Sequence, residues 1–279
     1  MNSIANETQS QIIEKSPLSI WRLLKNRWFL HVVSLILFFF IWDYVAAKRF
    51  LGSALATPYE VSLQLADMMV NPIAGKGLLG HIWASTQRIL IGFAIGAALA
   101  TPIGLVMALN RYINAIVKPV FDLIKPMPPI AWISIAILWF GIGEPSKVFI
   151  IVIGTFVPCL LNAYNGVRLI EPQLYDVVRM LGGNRRDEIL HVCFPAAFPA
   201  IFAGLQISLS AAWTCVLAAE LVSARSGLGF ITLLVMTLSK PALIVGGMVV
   251  IAMIAWLTTL LVTGLEKILC PWKREIQTA

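Results

Sequence analysis

The sequence predicts an all-α membrane protein with six transmembrane helices. Three observations lead there. Six stretches run close to or beyond the width of a bilayer core without one charged residue, at 28–42, 89–110, 126–143, 148–167, 189–219 and 241–265. Of the 279 residues, 59% are hydrophobic and 13% charged, and the mean hydropathy is +0.85. No segment alternates with the two-residue period of barrel strands. A spanning helix needs about 20 mostly apolar residues, and lipid offers no partner to backbone groups, so stretches of this kind fold as helices.

The first stretch is short but extends through Asp43 to Ala47 at its outer end. The polar head before it, to about Ser16, is followed by basic residues. The apolar run is too long for a secretory signal and lacks a small-residue cleavage site, so it is read as an uncleaved span. Residues 48–82 form the longest outside segment; Val61, Leu65, Met68 and Met69 recur there at helical spacing, as in an amphipathic helix lying on the membrane. The second span carries Gly92, Gly96, Ala100 and Gly104 at four-residue intervals, a stripe that lets another helix approach closely. The third opens with Pro126, Pro128 and Pro129, which remove backbone donors and disfavour helix in the residues before them. A break there leaves carbonyls unpaired, and irregular backbone at membrane depth survives only inside protein or along a watery cavity. Pro128, Pro129 and Trp132 are therefore candidates for a translocation path, the alternative being a helix that simply starts at Pro129.

Glu220 follows a long uncharged run and precedes Arg225 by five residues. A comparable acid at bilayer depth costs about 2.5–3.5 kcal/mol on insertion scales. Glu220 joins the candidate path, with a structural role in a gate region as the favoured reading. Arg88 and Asp43 read as charges near the outer interface. With the N-terminus inside, 14 of the 21 Lys and Arg fall on the cytoplasmic side, which places both termini there. The net charge of +7 thus reports topology rather than a nucleic-acid partner. The expected organisation is a cytoplasmic N-terminal segment 1–27, a transmembrane domain 28–272 with a functional loop at 172–195, and a cytoplasmic tail 273–279.

That loop, polar from Tyr175 to Leu190, is divided by Gly182 and Gly183 into two short helices, with Asn184 able to cap the second and Asp187 and Glu188 in its first turn. Arg185 and Arg186 stand where the helix dipole disfavours cations, so they serve another purpose, such as a docking partner. The loop's register resembles the motif of binding-protein-dependent ABC importer permeases: Glu-Ala-Ala, three residues, Gly, nine residues, Ile-x-Leu-Pro. Here it reads Asp176-Val177-Val178, Gly182, Val192, Phe194 and Pro195. Acid, glycine and proline are in place, while Asp replaces Glu and larger or different apolar residues replace the rest.

Residues 81–93, 128–147 and 218–230 resemble the branch of that family serving nitrate, taurine, aliphatic sulfonates and bicarbonate, and with the loop the likeness covers about residues 57–272. The Pro-Pro-x-Ala-Trp and Trp-Phe-Gly-Ile-Gly-Glu runs and Pro271-Trp272 look most like taurine permeases. The resemblance implies a type I ABC importer permease fold with a cytoplasmic coupling helix between helices 4 and 5, in a bacterial inner membrane. It also implies a homodimer, cytoplasmic ATP-binding subunits and an extracytoplasmic solute-binding protein. Coupling to the ATPase is expected at Asp176, Gly182, Arg185, Arg186 and Pro195.

The chain lacks a Gly-x-x-x-x-Gly-Lys-Ser/Thr phosphate loop, so ATP hydrolysis is expected in a separate subunit. His31, His81 and His191 are scattered, and Cys159, Cys193, Cys215 and Cys270 read as small buried hydrophobes, so no catalytic group, metal or cofactor is expected. The leading expectation is a permease for a small sulfonate, taurine first, with nitrate, bicarbonate or aliphatic sulfonates as alternatives. A stand-alone secondary transporter would need inverted repeats and paired embedded carboxylates, for which only Glu220 and Asp43 qualify. A nonconducting scaffold is the third class.

Overall fold

The computed structural model describes residues 27–48, 55–238 and 240–272. Most of the expected N-terminal segment and all of the expected tail lie outside the described residues. The chain divides into two compact units, 1–60 and 61–279. In the first, α1 (Arg27–Ala47) presents nearly all of its apolar side chains outward, as a helix facing lipid does. Trp42 Nε1 donates to the Ala56 carbonyl at 3.1 Å. Thr57 and Glu60 exchange side-chain and backbone bonds at 2.9 and 3.3 Å, a capping box that starts α2 (Pro58–Val70), the amphipathic helix expected there.

The second unit continues with α3 (Leu78–Leu109), α4 (Arg111–Ile124), a 3₁₀ turn (Pro129–Trp132), α5 (Ile133–Phe140), α6 (Glu144–Arg168) and α7 (Pro172–Met180). A helical turn (Arg185–Asp187) and a π-turn (Glu188–Cys193) lead into α8 (Phe194–Ser223), then α9 (Leu228–Thr237) and α10 (Pro241–Leu269). Five helices are long and apolar enough to cross a membrane, and the pair formed by α4 and 129–140, bent by 88°, makes a sixth if joined. The third span is thus bent rather than straight. Its prolines end α4 and let helix resume only at Pro129, whose fixed φ suits a first turn.

Helix α6 is the axis of this unit, with α3 on one side and α8 on the other. Small residues permit both contacts. A Cβ on Gly92 would stand 2.6 Å from Ile151 Cγ2, one on Gly96 2.8 Å from Thr155 Cβ, and one on Gly104 2.5 Å from the Leu160 carbonyl. On the other side, Gly204 meets Asn162 and Gly166 meets Ala200 at 2.6 and 2.7 Å in the same sense. In lipid no hydrophobic force drives helices together, so this close backbone approach and its dispersion contacts supply the adhesion.

The end of the unit opposite the 172–195 loop is closed by charge. Arg88 on α3 lies buried, with Nε 2.5 Å and Nη2 2.7 Å from the two oxygens of Glu144, and Nη1 2.6 Å from Glu220 Oε1 and 2.7 Å from the Ser226 carbonyl. Glu220 has no exposed surface. Ser85 Oγ reaches both its oxygens at 2.8 and 2.9 Å, and the Gly229 amide donates to it at 2.9 Å. Lys147 Nζ, 3.0 Å from Glu144 Oε1, balances the account at two cations to two carboxylates. The Gly227 amide donates to His81 Nδ1 at 3.1 Å, which makes that nitrogen an acceptor and leaves Nε2–H to donate to the Ile73 carbonyl at 3.0 Å. Gly227, at φ +127°, must be glycine: a Cβ there would collide with the Glu220 carboxylate.

Breaking a buried pair by removing one partner costs about 3–5 kcal/mol, because the survivor stays desolvated. Arg88→Met is therefore expected to lower thermal stability in detergent most, and Glu220→Gln less. Glu144→Gln should cost least, since its side chain is 61% exposed and Arg88 keeps Glu220. Equal losses for Glu144→Gln and Arg88→Met in thermal unfolding would shift the weight of the lock to the outer pair.

Candidate functional site

The loop between α6 and α8 is built as a stop followed at once by a restart. Pro172 opens α7 at a position where no amide donor is needed. At its other end Gly183 N donates to the Val178 carbonyl at 2.9 Å and Gly182 N to that of Arg179 at 3.0 Å, the pair of bonds of a Schellman stop. Gly182 supplies the left-handed residue it requires, at φ +78°. Gly183 is needed as well, because a Cβ would lie 2.5 Å from Val178 Cγ1 and 2.9 Å from the Val178 carbonyl. Asn184 then restarts the helix: its Oδ1 accepts from Arg186 N at 2.8 Å and Asp187 N at 3.3 Å, while Asp187 Oδ2 accepts from Asn184 N at 2.8 Å.

The second limb is not a separate short helix, contrary to the expectation from sequence. It runs through the π-turn into α8, because no stop signal intervenes before Pro195. Pro195 has no N–H and its ring crowds the carbonyl one turn back, and just before it the helix widens, with Phe194 N–H reaching the Ile189 carbonyl. The second limb is therefore one rod with the span that follows. Trp272 Nε1 donates to the Pro195 carbonyl at 3.2 Å and its ring meets Phe198 edge-on, tying the segment just after α10 to the foot of α8.

Arg179 links the two limbs, with Nε 2.7 Å from Glu188 Oε1 and Nη1 3.4 Å from Asp176 Oδ1. The Glu188 carboxylate beside it raises its pKa further above its already high value, so the link stays charged. Burial, reinforced by the Cys193 thiol beside it, pushes the Tyr175 phenol above its usual range and keeps it neutral. At the corner Met180 and Leu181 are 86% and 83% exposed. Two neighbouring apolar side chains so open at the tip of a polar loop form a contact surface.

The remaining site candidates lie elsewhere. Pro128 is exposed, and Pro129 and Trp132 are half-buried in the bend between α4 and α5. The carbonyls expected to be orphaned there are in part taken up by turns, Ile124 O by Met127 N at 2.9 Å and Pro128 O by Ala131 N at 3.0 Å. Glu220 is not gathered with this bend: its carboxylate is occupied by α3 and the start of α9. Sequence reasoning missed Ser85, His81, Glu144 and Gly227 as its company. A signal was present, since Arg88, Glu144, Lys147 and Glu220 each border an uncharged stretch.

A family model described as the inner membrane component of binding-protein-dependent transport systems matches residues 100–275. The taurine transport system permease protein TauC of Escherichia coli K12 is 30% identical over 264 residues, 92% of this chain and 96% of that one. The putative aliphatic sulfonates transport permease SsuC of Bacillus subtilis 168 is 29% identical, covering 85% of each chain. The bicarbonate permease CmpB of Synechococcus elongatus is 31% identical over 81% of this chain and 84% of its own. Among solved structures, a chain of the inward-facing MetNI methionine ABC transporter superposes with TM-score 0.59 at 16% identity, covering 68% of this chain and 94% of that one. A chain of an amino acid ABC transporter does so with TM-score 0.57 at 13% identity, covering 77% and 99%. The fold is that of type I ABC importer permeases, and the chain belongs to the family of inner-membrane components of binding-protein-dependent transport systems.

Proposed function

We propose that this chain is the permease of an ATP-driven importer for a small sulfonate, taurine first. Two copies span the inner membrane with both termini in the cytoplasm. Each presents loop 172–195 to an ATP-binding subunit, while a solute-binding protein delivers cargo from outside. ATP hydrolysis belongs to the partner subunit, and the chain itself is not an enzyme. The observation that carries this reading is the corner at Gly182–Asn184, which holds an apolar tip clear of the loop and joins it, through a continuous helix, to the span α8. Beyond that corner the second limb is continuous with α8, so force passed across it reaches the membrane through one helix.

The substrate rests on the likeness to TauC over 92% of this chain and on charge. The four ionised groups at the outer end of the spans cancel, leaving no surplus cation in that cluster. A zwitterion such as taurine needs none, whereas a path that held a bare anion tightly would keep one. Similar identity to CmpB supports a bicarbonate permease as the second reading. The bend containing Pro128, Pro129 and Trp132 lines the proposed path, with Glu220 anchoring its outer wall.

Gly182→Pro forces φ from +78° towards −65° and removes an amide of the Schellman stop. Uptake by the reconstituted complex is expected to fall at least about tenfold, the factor that ~1.4 kcal/mol of misplacement carries, while the chain still inserts. Wild-type uptake and substrate-stimulated ATPase in that variant would remove the loop from coupling.

Labelled taurine uptake into liposomes holding the permease, its ATPase and its binding protein should require ATP and resist competition by nitrate and bicarbonate. Uptake of nitrate but not taurine would overturn the substrate while keeping the importer, and uptake by the chain alone would make it a secondary transporter. Trp132→Ala should alter uptake; an unchanged rate would take Trp132 out of the path.

A further inference from the structure

We infer that the recess at the base of the loop is a site for the phosphate of an anionic membrane phospholipid, which braces the coupling limb against the ends of two spans. The inference rests on the orientation proposed above, with this loop at the cytoplasmic membrane face. The recess measures about 600 Å³ and is walled by the last residues of α3 and α6 on one side and by both limbs of the loop on the other. Three guanidinium groups line it, those of Arg168, Arg179 and Arg185.

Their charges are not equally spent. Arg179 is paired with Glu188 and Asp176. Arg168 donates only to a neutral phenol, Tyr164, at 2.8 Å, and lies over its ring at 5.6 Å. Arg185 Nη2 donates to the Leu109 carbonyl at 3.3 Å, across 76 residues of sequence. Among the described residues neither Arg168 nor Arg185 has a carboxylate within ion-pair distance. With Glu188 as the one acid of the lining, the recess carries a surplus of two positive charges.

Depth and lining identify the anion. Leu109 and Arg168 end two spanning helices, so the recess sits where hydrocarbon gives way to headgroups, the level at which basic pockets between spans hold acidic lipids. Beside the guanidinium groups its wall is apolar, with Ala108, Leu109, Val167 and Ile170. A free phosphate has no use for that wall, whereas a glycerol backbone and the first methylenes of an acyl chain fill it. A docking protein meets the exposed Met180 and Leu181 at the corner instead. One phosphate between Arg168, on a span end, and Arg185, on the moving limb, accepts from both guanidinium groups and stiffens the joint through which the loop pushes on α6.

The full-length chain, delipidated in detergent, is titrated with phosphatidylglycerol, phosphatidylcholine or inorganic phosphate, and followed by native mass spectrometry and thermal unfolding. Phosphatidylglycerol should be retained and raise the unfolding midpoint, and the other two should not. Arg185→Gln should weaken retention about fivefold, the equivalent of ~1 kcal/mol per basic residue near the surface. Arg168→Gln with Arg185→Gln should abolish it, and Arg186→Gln should leave it unchanged. If the double variant does not fold, the exposed Arg185→Gln decides alone. Indifference to phosphatidylglycerol, equal retention by Arg185→Gln, or a full shift with inorganic phosphate would overturn the site. Variants that keep lipid binding but lose capture of the ATPase subunit would place these arginines in the protein interface, overturning the site while the importer reading stands. Transport by the chain alone would overturn that reading and leave the lipid result untouched.

Discussion

A carboxylate with no exposed surface in a membrane protein must obtain its counter-charge and all its hydrogen bonds from the protein, and Glu220 does so by gathering segments far apart in sequence. Ser85 and Arg88 come from α3, the Gly229 amide from the start of α9, and through Arg88 the N-terminus of α6 is drawn in at Glu144. Leaving one of these contacts unmade costs more than making it gains, so the cluster specifies one arrangement of the outer ends rather than merely favouring it. The short helix α9, too short to span, owes its position to that cluster: its first amides point at Ser85 and Glu220, as helix N-termini point at anions.

The two ends of the unit are held by different physics. At one end, balanced charge around a carboxylate with no exposed surface locks helices together. At the other, the loop is polar, exposed and stabilised by backbone motifs and surface ion pairs, each worth far less. Between them runs α6, packed through glycine and alanine against α3 and α8 so closely that it cannot slide without clashes. Under the proposed importer function, a bundle tied at one end suits alternating access, in which a push at the loop rotates helices about the tied end.

Much of the loop was legible because its signals are local. The Schellman stop needs a glycine at one position and the capping box needs Asn184 and Asp187 three apart, and both can be read from spacing. Gly183 was legible as part of the break, but the reason it must be glycine was not, because that comes from contact with the Val178 side chain and carbonyl. The fusion of the second limb with α8 was also hidden. Spacing showed two short helices, whereas one widened turn before Pro195 lets the second run on into the span.

By itself the sequence determined the spans, the loop and the small-residue stripe on α3, since charge-free length and residue spacing are properties of one segment in one solvent. It also sets Arg88, Glu144, Lys147 and Glu220 at the borders of uncharged stretches. Only the tertiary structure decided that they belong to one neutral cluster, that His81 holds the backbone of Gly227, and that Arg185 turns back to Leu109 while Arg168 waits beside it. Apart from Lys147 with Glu144, those pairings join residues 56 to 146 positions apart, and no local rule selects among the many partners a charge could take until packing has brought two of them together.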